Sequence, residues 1–169
     1  MTEGFAFMSL TIRPITTEEF DLVWPIFEPI IREGKTYSYD PKLTMDEARA
    51  IWCAPEKTPF VALAGDRPVG TFYIRANQLG LGNHIANGGF MVAPGQCGKG
   101  YGTAMGEAMV KEARRLGYHG MQFNFIVQDN EPSLRIWKKL GFEIVGTVPD
   151  AMRHAEKGLM PVHILYKKL

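Results

Sequence analysis

The chain has 169 residues, 46% of them hydrophobic, and a nearly even charge balance of 19 Lys and Arg against 18 Asp and Glu, formally +1. This length suits one domain spanning 1–169 with a substantial core, and the even charge without a long basic run excludes a dedicated nucleic-acid binder. No apolar run approaches the ~20 residues of a membrane span, and Cys53 and Cys97 form no Cys-x-x-Cys pair, so neither a membrane anchor, a disulfide framework nor a metal site is expected, and a reducing cytoplasm fits best.

Met1 to Leu10 contains Glu3 and lacks a basic segment followed by an apolar one, so no signal peptide is predicted there. Leu10 to Arg13 alternates like a strand. Thr16-Thr17-Glu18-Glu19 reads as a capping box opening a helix with Phe20, Val23, Phe27, Ile30 and Ile31 on one side, kinked or divided by Pro25 and Pro29. A loop over Gly34 to Pro41 follows, and then a second capping box, Thr44 to Glu47, opens a short helix through Ile51 and Trp52. Phe60 to Ala64 and Val69 to Ile74 form a hairpin about Gly65 to Pro68.

Residues 77 to 82 read as a Gly-rich loop. Asn83 to Val92 is a strand in which Asn87-Gly88-Gly89 predicts a bulge. After a glycine turn comes a helix with Met105, Met109, Ala113 and Leu116 on one face and Gly117 as its stop. Met121 to Val127 is a buried strand, and Asn130 caps a helix that tolerates Pro132 in its first turn and ends at Gly141. Phe142 to Thr147 and Val162 to Lys168 are the last strands, separated by a long loop holding Asp150, Arg153, His154 and Glu156.

The glycine turn carries the strongest functional signal. Cys97-Gly98-Lys99-Gly100-Tyr101-Gly102-Thr103 joins the strand ending in Phe90-Met91-Val92 to a helix. Alternate glycines let successive backbone N–H groups converge on an anion, and the helix N-terminus adds unpaired donors and about half a positive charge. This suits a pyrophosphate. The nucleotide-hydrolase motif Gly-x-x-x-x-Gly-Lys-Ser/Thr is absent, and Gly98, Gly100 and Gly102 are spaced Gly-x-Gly-x-Gly rather than as the dinucleotide fingerprint Gly-x-Gly-x-x-Gly.

The turn resembles the acetyl-CoA loop of the GCN5-related N-acetyltransferase (GNAT) family, Arg/Gln-x-x-Gly-x-Gly/Ala, with Cys97 in the position that usually carries Arg or Gln. Asn130-Glu131-Pro132-Ser133, Trp137 and Leu140-Gly141-Phe142 resemble a second block of the family, with Trp137 in place of the usual Tyr. The resemblance covers about residues 10 to 168. It implies an α/β (α+β) fold: a central, mixed, mostly antiparallel sheet with a splayed parallel strand pair, flanked by about four helices.

It further implies an N-acetyltransferase that moves an acetyl group from acetyl-CoA, without a metal, to the primary amine of a small molecule such as an amino acid. A protein or peptide acceptor and a non-catalytic acyl-CoA-binding regulatory domain are the alternatives, and family members are often homodimers. The implied cofactor contacts are Phe90, Met91, Val92, Cys97, Gly98, Lys99, Gly100, Tyr101, Gly102, Thr103, Asn130, Ser133 and Trp137, with the Met91 backbone N–H as oxyanion donor. The strand before the turn lacks the family's Glu, which leaves His84 as the candidate base by its ordinary pKa. An indole cannot protonate the leaving thiolate, so water is the first candidate for that role, with no acid at all, or Tyr101, Tyr166 or Cys97, as the alternatives. Acceptor binding is expected from residues 34 to 40 and 149 to 160, with Tyr37 and Tyr39 as an aromatic wall and Arg32, Lys35 and Arg153 for a carboxylate.

Overall fold

The computed structural model describes residues 10–169; the segment 1–9, where no signal peptide is expected, lies outside the described residues. Seven strands form one sheet in the order β1-β2-β3-β4-β5-β7-β6. They are β1 (Leu10–Pro14), β2 (Thr58–Ala64), β3 (Arg67–Ala76), β4 (Ile85–Val92), β5 (Gly120–Val127), β6 (Glu143–His154) and β7 (Gly158–Lys168). Only β4 and β5 run parallel. The helices are α1 (Trp24–Glu33), α2 (Met45–Trp52), α3 (Tyr101–Arg115) and α4 (Glu131–Lys139).

Local chemistry sets the helix starts. Thr44 completes the predicted capping box, its hydroxyl accepting from the Glu47 N–H while the Glu47 carboxylate accepts from the Thr44 N–H. Near Thr16 only half of a box forms, with the Glu19 carboxylate accepting from the Thr16 N–H, and it opens a 3-10 turn over Glu18–Leu22. α1 begins afterwards with Pro25 in its first turn, where a missing N–H costs nothing, and runs on through Pro29. The predicted division therefore falls at Pro25 alone.

The sheet is packed on both faces. One face of β3 sends Phe72 and Ile74 into a core with Met105, Met109 and Ala113 of α3 and Trp137 of α4. The other sends Tyr73 into a core with Phe27 and Ile31 of α1 and Trp52 of α2. On that side the Trp52 indole donates to Thr71 Oγ1, whose hydroxyl donates to the Phe60 carbonyl, so the buried polar atoms are paired.

Gly88 and Gly89 make this double packing possible. A Cβ on Gly88 would lie 2.1 Å from Met109 Cε, and one on Gly89 would lie 2.4 Å from the Tyr73 ring and 2.9 Å from Trp52. The predicted bulge is not formed, because β3 and β4 pair without a register shift from Gly70↔Val92 to Ala76↔Ala86. The irregularity lies on the other edge of β4. Its pairing with β5 is confined to Ile85↔Gly120 and Ala86↔Met121, and beyond Ala86 the two strands part.

A second correction concerns the end of the chain. The segment read as a long loop is instead the end of a hairpin, with β6 reaching His154 and β7 starting at Gly158. Met152 and Val162 bury themselves against Val127, an apolar pairing hidden in the sequence by the charges around it. The hairpin tip docks on the end of α1: the Ala155 N–H donates to the Gly34 carbonyl, and Lys35 pairs with Glu156 at 2.6 Å.

Substituting Gly89→Val should lower stability by about 1–3 kcal/mol or more, since the new methyls collide with two packed rings. Gly146→Ala, where the nearest atom to an added Cβ is 3.9 Å away, should stay within about 1 kcal/mol of the wild type. Denaturant unfolding of both variants tests this; equal losses would refute the packing role of Gly89.

Candidate active site

The glycine turn is built for an anion at two of its glycines and for packing at the third. Gly98 and Gly100 have φ of 80° and 84°, and an added Cβ would meet nothing within 4 Å, so the backbone conformation requires glycine there while the space above stays open. Gly102 serves differently, since its Cβ would lie 2.6 Å from Ile136 of α4. Gly100 caps α3 without a side-chain hydrogen bond, and the first intrahelical bond runs from Ala104 N–H to Gly100 C=O. The amides of the first turn thus remain as donors for an anion.

Along β4 the backbone alternates in direction. The Ile85 carbonyl accepts from Asn77 N–H and the Ala93 N–H donates to the Val69 carbonyl, so odd-numbered positions face β3. The His84 carbonyl accepts from His119 N–H, and even-numbered positions face the β5 side. With no register shift, the Met91 N–H points to β3, opposite Thr71, and its side chain is 2% exposed. The expectation that Met91 supplies the oxyanion donor is therefore corrected: the amides facing the gap between β4 and β5 are those of Phe90 and Val92.

Tyr37 reaches this gap from the loop after α1. Its hydroxyl donates to the Phe90 carbonyl at 2.6 Å and accepts from the Phe90 N–H at 2.7 Å. The ring stacks on Tyr39 at 5.4 Å and meets the edge of Trp52 at 6.5 Å. Burial pushes the phenols of Tyr37, Tyr39 and Tyr73 above their ordinary value. All three are therefore neutral hydrogen-bonding groups, not bases, near neutral pH.

Two cavities meet at this point. A large groove of about 1010 Å³ runs past Val92, Pro94, Cys97, Gly98, Gly100, Gly102 and Thr103 and along α4. A smaller cavity of about 250 Å³ lies between Tyr39, Tyr73, Arg75, Asn87 and Phe123 to Ile126. Thr36, Tyr37, Phe90, Asn130 and Ser133 line both.

Most of the expected cofactor residues come together along the groove, but Lys99 and Tyr101 do not line it, and Lys99 instead donates to Gln96. Asn130 accepts from the Ser133 N–H as the helix cap, and Ser133 in turn accepts from the Trp137 indole at 3.0 Å. Trp137 packs between Phe90, Phe123 and Phe142 with 1% of its surface exposed, as a wall of the small cavity rather than of the groove. The charged residues not foreseen in the groove are Glu33 at the end of α1 and Arg135 and Lys139 on α4. For Arg135 and Lys139 the i, i+4 spacing beside Pro132 and Ile136 on one face of α4 was the available signal.

The expected acceptor segments do meet, through Gly34 and Ala155, but none of Arg32, Lys35 and Arg153 lines the small cavity. Arg32 donates to the carbonyls of Pro41 and Leu43 and pairs with Glu28; Arg153 is exposed and lines neither cavity. His84 is exposed beside His119, at the end of β4 about 23 Å of strand from Met91, and also lines neither cavity.

The buried tyrosines tie stability to alkaline pH. Their folded pKa lies above the unfolded value of 10.0, so the unfolded chain ionises first and stability is full below pH 10 and lost above it. The melting temperature should fall as pH rises beyond 10, and Tyr39→Phe should flatten that fall; an identical alkaline slope in the variant would contradict it.

Comparison with known proteins agrees with this architecture. The model of the acetyltransferase (GNAT) family matches residues 18–142. The chain is 34% identical over 139 residues to N-acetyltransferase aca1 of Schizosaccharomyces pombe, an alignment covering 73% of this chain and 66% of that protein, just under two thirds of its length. A GCN5-related N-acetyltransferase from Kribbella flavida superposes with a TM-score of 0.87 at 34% identity, covering 95% of this chain and 98% of that one. The structure of yncA from Salmonella typhimurium, a putative acetyltransferase with its cofactor acetyl-CoA, superposes with a TM-score of 0.82 at 20% identity, covering 95% and 94%. A family match that begins at the first helical turn and ends just past α4 leaves one assignment: this chain belongs to the acetyltransferase (GNAT) family.

Proposed function

We propose that the chain, as one unit over 1–169, is an N-acetyltransferase that uses acetyl-CoA and acts on a small primary amine. The observation that carries this reading is the junction of two cavities of unequal size at Phe90 and Tyr37, where strand amides face a gap instead of a partner strand. A long groove ending in a phosphate-suited turn fits a coenzyme, and the cavity of about 250 Å³ fits an acceptor of amino-acid size.

In this assignment the open amides of α3's first turn and the positive φ of Gly98 and Gly100 receive the pyrophosphate, with Arg135 and Lys139 adding charge along α4. Acetyl-coenzyme A, when bound, would supply the activated acetyl thioester. The Val92 N–H, facing the gap, holds the acetyl-CoA arm and stabilises the charge that develops on the carbonyl oxygen, while the N–H and C=O of Phe90 join it only when the arm displaces the Tyr37 hydroxyl that occupies both. The attacking amine forms the new C–N bond as the C–S bond breaks, and its surplus proton leaves to water; among the described residues no carboxylate or imidazole lines the small cavity. The exposed thiol of Cys97 and the partly buried one of Cys53 are unpaired, which fits a reducing compartment such as the cytoplasm.

Thiol release from acetyl-CoA across a panel of amino acids, polyamines and peptides tests the assignment. Gly100→Val forces a branched side chain to φ 84° and should raise the acetyl-CoA KM about tenfold or more with the fold intact. Binding without turnover on any amine would favour a regulatory acyl-CoA-binding domain, and no binding at all would sink the reading. With water as the proton acceptor, kcat/KM should rise with pH until the acceptor amine is neutral, near its own pKa of about 9–10. A profile saturating near pH 6–7 would instead require a protein base.

A further inference from the structure

Arg75 stands out within the small cavity. It is the one charged residue among the described residues lining that space. Among the described residues its Nε is buried without a hydrogen-bond partner, as is that of Arg49, but unlike Arg49 its guanidinium takes part in none of the ion pairs found there. A buried guanidinium donor without an acceptor is costly unless a ligand supplies one.

Its neighbours do not satisfy it. Across the β3–β4 ladder Arg75 is opposite Asn87, whose Oδ1 is taken by the Gly88 N–H at 2.6 Å. On its own strand Tyr73 shares the same face, two residues away, and burial keeps that phenol neutral. The nearby cation Lys57 is already used, donating to the Ile51 carbonyl and lying 4.4 Å from the Tyr73 ring centre. The site therefore presents a planar fork of donors, one edge of it dry and unpaired, three residues or about 10 Å of strand from Phe90.

We propose that Arg75 anchors a carboxylate on the acceptor, so that the acceptor class is a small amino acid or related amino-carboxylate whose amine is directed toward Phe90. Five N–H donors in a fixed plane match two carboxylate oxygens, which holds the acceptor in one orientation. The cavity volume of about 250 Å³ leaves room for a compact side chain. The inference rests on the reading of this cavity as an amine site, and it replaces Arg32 and Arg153, whose guanidinium groups lie elsewhere, as the carboxylate partner.

Matched acceptors test it. Each amino acid that turns over is compared with its carboxamide and with the corresponding amine lacking the carboxylate, using wild type, Arg75→Lys and Arg75→Gln. Wild type should prefer the carboxylate form by about 100-fold in kcat/KM. Arg75→Gln should erase that preference through acceptor KM, and Arg75→Lys should keep part of it, with the acetyl-CoA KM unchanged throughout. Equal use of the three acceptor forms by wild type, or an undiminished preference in Arg75→Gln, overturns the anchor while leaving amine acetylation intact. If no amine turns over, the amine reading itself fails; the anchor is then read by thermal shift with N-acetylated amino acids. Stabilisation lost in Arg75→Gln supports a carboxylate site, and stabilisation unchanged in that variant overturns it.

Discussion

A backbone amide inside a sheet must find a partner, and β4 gives its even-numbered residues none beyond Ala86. That unfilled side of one strand organises the rest of the site. Polar groups that would otherwise bond β5 are turned toward a gap, where Tyr37 takes up those of Phe90. The gap is also where the groove and the small cavity join. An extended arm laid there would take the place of the missing strand, bonding to Val92 directly and to Phe90 by displacing the Tyr37 hydroxyl.

Holding such a gap open needs rigid walls. On one side α4 is pinned by Trp137, whose rings fill the core against Phe90 and Phe123 and whose N–H is returned to Ser133 one turn back. On the other side the loop after α1 is fixed by stacked aromatics, by Arg32 donating to its carbonyls, and by the β6–β7 tip bonded to Gly34. The replacement of Tyr by Trp in α4 is thus consistent with a wall function. An indole whose one donor is spent internally has no proton to give.

Much of this was legible beforehand. The two helix-capping motifs, the glycine turn and the order of elements depend on residues close in sequence, and their physics is local: a hydroxyl reaching three residues on, a positive φ, an N-terminal amide left open. Segments 34 to 40 and 149 to 160, expected together at the acceptor, touch through Gly34 and Ala155, but only the first lines the small cavity. The misreadings share a different cause. Asn87-Gly88-Gly89 suggested a bulge because glycine weakens strands, yet those glycines are required by Met109, Tyr73 and Trp52 on two opposite faces. Residues 148 to 161 read as a loop because their burial against Val127 is long-range. Met91 was chosen as donor by position in a motif, when strand parity decides which amide faces the gap.

The sequence by itself determined that the chain makes a phosphate-suited turn at the start of a helix, because glycine conformation and unpaired helical amides need no distant partner. Only the tertiary structure decided which backbone amides face the gap between β4 and β5, which cations are already committed, and that Arg75 is not. Those properties depend on what lies across a sheet or cavity from each group. Arg75, Asn87, Tyr37 and Asn124 are brought to one cavity by strand register and loop packing, and no spacing along the chain records that meeting.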